Sequence, residues 1–237
     1  SGRDVTGNYN VFFGRYAGRY ATSAAHNVMI GANVAKCHTT GDCNVFIGNE
    51  AGSNASSSGG TGNNNIGLGC KALTALTSGY DNTVLGQNAG SSMTSGVDNV
   101  LIGRRSGRSL STTCRNVFLG VYTGDDATGI ANVVIGSIAG SNMTSGGCNI
   151  LIGMETAGGV ITGGNNILMG CKTAKGITSG NENIILGSVA GCKADEVQYN
   201  IMIGRCAGYN TVAGASPACQ GDTNIYIGDN AAKTATT

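Results

Sequence analysis

This 237-residue chain carries only two histidines and thirteen acidic side chains. Glycoside hydrolysis needs two carboxylates facing one cleft. The acidic neighbours Asp125–Asp126 and Asp195–Glu196 are adjacent in sequence, and adjacent residues on a turn point apart into solvent. His26 and His38 have no serine or aspartate partner at a spacing that suggests a nucleophilic site. Nine cysteines are present, none in a C-x-x-C pair, so a zinc ribbon is not indicated. Cys37, His38 and Cys43 are close together, but a fourth ligand is missing. An odd cysteine count leaves one thiol unpaired within a chain. Local loops could join Cys192 to Cys206 or Cys206 to Cys219, and a free or buried thiol is the competing reading for each. A calcium-binding solenoid would need an aspartate ladder, and aspartate here is sparse and aperiodic. Asn54 and Asn142 open the two N-x-S/T sequons. The expectation is a non-enzymatic chain with no catalytic residue, cofactor or metal.

Charge adds little. Net charge is +1, and only 11% of residues are charged. Arg15 with Arg19, and Arg104 and Arg105 with Arg108, read as small solvated edges. Neither nucleic acid nor an anionic membrane is an expected partner. No run of 18 apolar residues exists to make a membrane helix.

What positions these residues is a repeat. Asparagine followed four residues later by glycine recurs thirteen times, at Asn10, Asn27, Asn44, Asn65, Asn82, Asn99, Asn116, Asn132, Asn149, Asn166, Asn183, Asn200 and Asn224. The steps are 17 residues, except for 21 before Asn65, 16 before Asn132 and 24 before Asn224. Between Asn and Gly lie three residues, usually all apolar, such as Val45-Phe46-Ile47 and Ile150-Leu151-Ile152. Their β-branched character favours a strand, and glycine at such density excludes a helix. Ala-Gly follows, as at Ala51-Gly52 and Ala89-Gly90. A lone apolar residue comes eleven places after Asn: Leu76, Met93, Leu110, Met143, Val160 and Ile177. Thr-Ser-Gly then reads as the opposite turn.

No single repeat can bury its apolar residues, so neighbours must stack. The fold predicted is all-β: a parallel β-solenoid or β-roll of thirteen coils of about 17 residues, spaced at about 4.8 Å. It forms one repeat domain over 1–237, with loop insertions at 56–64 and 209–223, and reads as a segment of a longer fibre. The asparagines are expected either to form an amide ladder from coil to coil or to bond their own turns.

Strand alternation puts the first and third residues after Asn on one face and the second on the other. With the first and third assigned to the core, the second column faces outward. That column is Phe12, Met29, Phe46, Val84, Leu101, Phe118, Val134, Leu151, Leu168, Ile185, Met202 and Tyr226, with Gly67 the exception. Such a stripe marks an interface, and a homo-oligomer with these residues at its axis is predicted. The alternative is a flattened coil whose second limb covers them. A threonine column, Thr77, Thr94, Thr128, Thr144 and Thr178, suggests ice binding as a further class, but it is broken at Ile161 and Asp195.

The units Asn44–Gly52 and Asp81–Gly90 resemble repeats from two settings. One is the head of trimeric autotransporter adhesins, a left-handed parallel β-roll. The other is the repeat region of phage tail fibres and virion proteins, notably of marine and cyanobacterial phages. The resemblance covers nearly the whole chain. The adhesin repeat is typically shorter and generally avoids cysteine, which favours the viral setting. The resemblance implies a homotrimer with its apolar strand triplets at a shared axis, on a virion surface or otherwise extracellular. It contributes to host attachment through a receptor or glycan, alongside other fibre segments. A bacterial adhesin head and an ice-binding solenoid are the alternatives.

Overall fold

The computed structural model describes residues 5–53, 59–159, 161–194, 196–210 and 223–233. The sequon at Asn54, Val160, Asp195, Cys219 and most of the second insertion lie outside them.

The fold is an all-β parallel solenoid of thirteen three-residue strands. The chain divides into two compact units, Ser1–Asn116 and Val117–Thr237. The first holds β1 (Val11–Phe13), β2 (Val28–Ile30), β3 (Val45–Ile47), β4 (Ile66–Leu68), β5 (Thr83–Leu85) and β6 (Val100–Ile102). The second holds β7 (Val117–Leu119), β8 (Val133–Ile135), β9 (Ile150–Ile152), β10 (Ile167–Met169), β11 (Ile184–Leu186), β12 (Ile201–Ile203) and β13 (Ile225–Ile227). Coils take the number of their strand. Within each unit every strand pairs with the next in sequence, in parallel and in register: Val45 faces Ile66, and Ile150 faces Ile167.

Hydrogen bonding continues beyond the strands. In coil 3, Val45 N donates to Asn65 O at 2.8 Å and Gly52 N to Ala72 O at 2.9 Å, while Gly48 N donates back to Ile30 O at 2.9 Å. The stack therefore satisfies the backbone of turns as well as strands, which lets so short a strand persist.

Each corner is built from left-handed backbone. Gly86, after β5, has φ +139, and a β-carbon there would lie 2.4 Å from Gly103 O of the next coil. Only glycine permits both that torsion and that approach. Left-handed torsions also recur at non-glycine positions: just before the Asn (Asp81, φ 57; Asp98, φ 57) and six places after it (Lys71, φ 58; Asn88, φ 56). Asp and Asn tolerate this region, but Ile138 (φ 61) and Val189 (φ 62) hold it against their β-branches.

The core is thin. It consists of the second strand column, the small residues seven places after Asn (Ala72, Ala89, Ala139, Ala190), and the apolar residues eleven places after it (Leu76, Met93, Leu110, Met143, Ile177), all fully buried. Where Thr123 and Thr173 replace alanine, their hydroxyls donate at 2.6 Å to Gly136 O and Gly187 O. Side-chain volume is traded within coils. Phe118 shares its coil with Ala127, Val84 with Met93, and Gly67 with Leu73 and Leu76.

The predicted orientation of the strands is corrected here. Met29, Phe46, Val84, Leu101, Phe118, Val134, Leu151, Leu168, Ile185 and Met202 are fully buried within their own chain, and Phe12 and Tyr226 are half-buried. They cannot line an oligomer axis. The second limb covers them, which is the alternative arrangement. Ile161, expected to break the threonine column, is buried as well.

Candidate interaction surface

The asparagine column is internal. All eleven asparagines from Asn27 to Asn200 are essentially inaccessible. Asn99 shows the pattern: its Nδ2 donates to Asn82 Oδ1 at 3.0 Å, Val97 O at 3.1 Å and Thr113 O at 2.9 Å. Its own Oδ1 accepts from Asn116 N at 3.1 Å and Asn116 Nδ2 at 3.2 Å. The same rung recurs at Asn166 and Asn183 in the second unit. Ladder and turn bonding, posed as alternatives, coexist. Asn10 and Asn224 are only half-buried. The column is a fully bonded polar spine, and buried amides so satisfied specify register.

The chemistry-bearing residues are dispersed. His26 is exposed and stacked on Tyr9, with centroids 4.9 Å apart. His38 instead occupies the core column that elsewhere among the described residues carries Ala, Leu, Met or Ile. Its Nε2 lies 3.1 Å from Gly62 O, its Nδ1 is buried without a partner, and its ring stands edge-on to Phe46 at 5.6 Å. Burial lowers its pKa to about 4, against the opposing pull of the Gly62 carbonyl and the Asp42 charge. Cys37 and Cys43 are free thiols. Among the described residues no three His, Cys, Asp or Glu side chains converge on a metal site. Asp125 is buried and Asp126 exposed, so the pair does not face one cleft. Cys192 and Cys206 are unbonded: they follow their asparagines by nine and six places and fall in different columns.

The threonine column bonds along the stack. Thr77 Oγ1 donates to Thr94 O at 2.9 Å, and Thr22 Oγ1 to Thr39 O at 3.2 Å.

The surface that stands out is the outer face of the sheet. Its two columns are the first and third strand residues. All are apolar except Thr83, and none is charged. They remain accessible: Ile47 38%, Ile66 38% and Ile102 40% in the first unit, Ile150 37% and Met169 39% in the second. Phe13, at 73%, and Ile227, at 67%, are more open because β1 and β13 have a neighbour on one side only. Sequence reasoning missed this face by one residue of register. No protein-family model matches the chain, and no curated protein is significantly similar to it in sequence.

Proposed function

We propose that the chain is a non-enzymatic structural segment of a fibre or adhesin, assembled as a homotrimer through the outer sheet face and carried on a virion surface. The observation supporting it is the uncharged double column of half-exposed aliphatic side chains. Seven strands of the second unit contribute fourteen such positions, leaving on the order of 800 Å² of surface, which is what one partner of a stable interface buries. At about 25 cal/mol per Å² its removal from water is strongly favourable. A second copy suits this face because it offers the same uncharged surface. The number three, and the viral setting, rest on the resemblance of the repeat units. The buried amides, the stacked coils of each unit and the scattered titratable groups support a scaffold role over a catalytic one. Ice binding is less favoured, since the threonine hydroxyls donate along the stack.

Sedimentation of the wild type beside Ile102→Glu/Ile150→Glu tests this reading. A larger wild-type particle that the charges reduce to single chains supports it. Equal sedimentation of both as single chains refutes it.

A further inference from the structure

Coil 1 carries an unusual concentration of rings and guanidinium groups. Five of the chain's twelve Phe and Tyr residues, Tyr9, Phe12, Phe13, Tyr16 and Tyr20, fall within twelve positions, together with Arg15 and Arg19. Arg15 and Arg19 both lie over the Tyr16 ring, each with Cζ 4.7 Å from its centroid, and Arg19 is also 5.2 Å from the Tyr20 centroid. Arg15 donates to the Tyr16 hydroxyl at 3.4 Å. That bond, the Arg15 charge beside it, and the charges of Arg19 and Lys36 hold the Tyr16 phenol below its ordinary pKa. Tyr16 itself is fixed in a left-handed torsion, φ 60, by the corner it occupies.

Other cations of the chain are ion-paired. Lys71 is paired with Glu50, Lys172 and Lys175 with Glu155, and Arg205 with Asp229. No such partner is found for Arg15 or Arg19 among the described residues. Arg15 gives one N–H to the Tyr16 hydroxyl, and the remaining N–H groups of the two guanidinium groups are suited to an anion. Tyr20, 48% exposed, offers an adjoining apolar ring. Arg15, Arg19 and Tyr20 are exposed and Tyr16 is half-buried, and positions equivalent to Arg15 and Tyr20 stay exposed in the interior coil 5, at Gln87 and Ser92.

We propose that this Arg–Tyr cluster binds an acidic polysaccharide, the arginines taking a sulfate or carboxylate and Tyr20 the face of the adjoining sugar ring. Two arginines and Lys36 match one anionic group and its neighbour, whereas a nucleic-acid track needs cations repeated along a phosphate backbone. The inference extends the attachment role above by naming the ligand class.

The test is binding of the full chain to fluorescent dextran sulfate, polygalacturonate, neutral dextran and an oligothymidylate, at physiological salt. The expected result is binding to one or both acidic polysaccharides and none to neutral dextran. Arg15→Gln/Arg19→Gln weakens it by about 10-fold or more, given what hydrogen bonds to charged groups contribute. Tyr20→Ala and Arg19→Lys weaken it measurably, and Lys172→Gln leaves it unchanged. Circular dichroism confirms that each variant keeps its fold. Unaltered affinity in the double glutamine variant overturns the proposal, as does full retention by Arg19→Lys, equal binding of neutral dextran, or tighter binding of the oligonucleotide. Particle mass measured on the same samples separates the two readings: a single chain that binds the polysaccharide sinks the trimer alone, and a trimer that ignores it sinks the cluster alone.

Discussion

Phe46 and Gly67 hold the same strand position in successive coils, and the ring of the first occupies the space the second leaves. A β-carbon on residue 67 would lie 2.8 Å from Phe46 Cδ1. The only glycine in the second strand column is therefore a packing partner. Gly67→Val is expected to cost about 1–3 kcal/mol as an overpacked core. In the Phe46→Val/Gly67→Val pair the loss is smaller than the sum of the single losses, by a coupling of about 1 kcal/mol. Urea denaturation of the four proteins checks this; strict additivity contradicts the packing.

Asn99→Leu removes a rung from the middle of the first unit's amide spine. It takes one hydrogen bond each from the Val97 and Thr113 carbonyls, Asn82 Oδ1, Asn116 N and Asn116 Nδ2, while Val97 O keeps Arg115 N, Thr113 O keeps Val97 N, Asn82 Oδ1 keeps the backbone N of residue 99, and Asn116 Nδ2 keeps Cys114 O. Weakening a buried polar network in this way costs about 1–3 kcal/mol, and a loss of that order is expected. Asn10→Leu, on a half-buried rung, costs less. Denaturation midpoints of the two variants give the comparison.

His38 makes stability pH-dependent. Its ordinary pKa is 6.5 and its folded pKa about 4, so the unfolded chain takes up the proton first. The stability it permits is complete above pH 6.5 and is lost as pH falls toward 4. The full span is about 3 kcal/mol, from the free energy of a pKa shift. His38→Leu restores the residue type of its column and flattens the dependence. Melting temperatures between pH 7 and 4 report it, and an equal slope in the variant contradicts the assignment.

Ile138 stores strain. It holds φ 61 at a position where coils 2, 5 and 13 carry Asn33, Asn88 and Asn230. Ile138→Asn relieves a torsion that costs a β-branched residue about 1–2 kcal/mol. A rise in melting temperature is expected, although Ile138 is 41% exposed and gives up little burial.

The repeat made most of this fold legible. Thirteen Asn–Gly pairs marked every strand and corner. What they did not reveal directly was which way a strand faces, because three consecutive apolar residues carry no alternation. The signal lay in the asparagine itself. A residue two places on shares its face, so an inward amide ladder requires the second strand column, Phe46 or Leu101, to point inward with Asn44 or Asn99. Size variation pointed the same way. The second column runs from Gly67 to Phe118, as a core with compensating partners does, while the first and third stay uniformly Val, Ile and Leu for the most part. The core role of His38 and the sharing of Tyr16 by two arginines depend on neighbouring coils and torsions that no single repeat displays.

The central claim is that the outer sheet face is where copies meet, and the native mass tests it most directly. Light scattering on the purified chain, with and without reductant, is expected to give three chain masses in both conditions, since the eight cysteines seen are free thiols. A particle of one chain mass contradicts the account and returns the face to solvent.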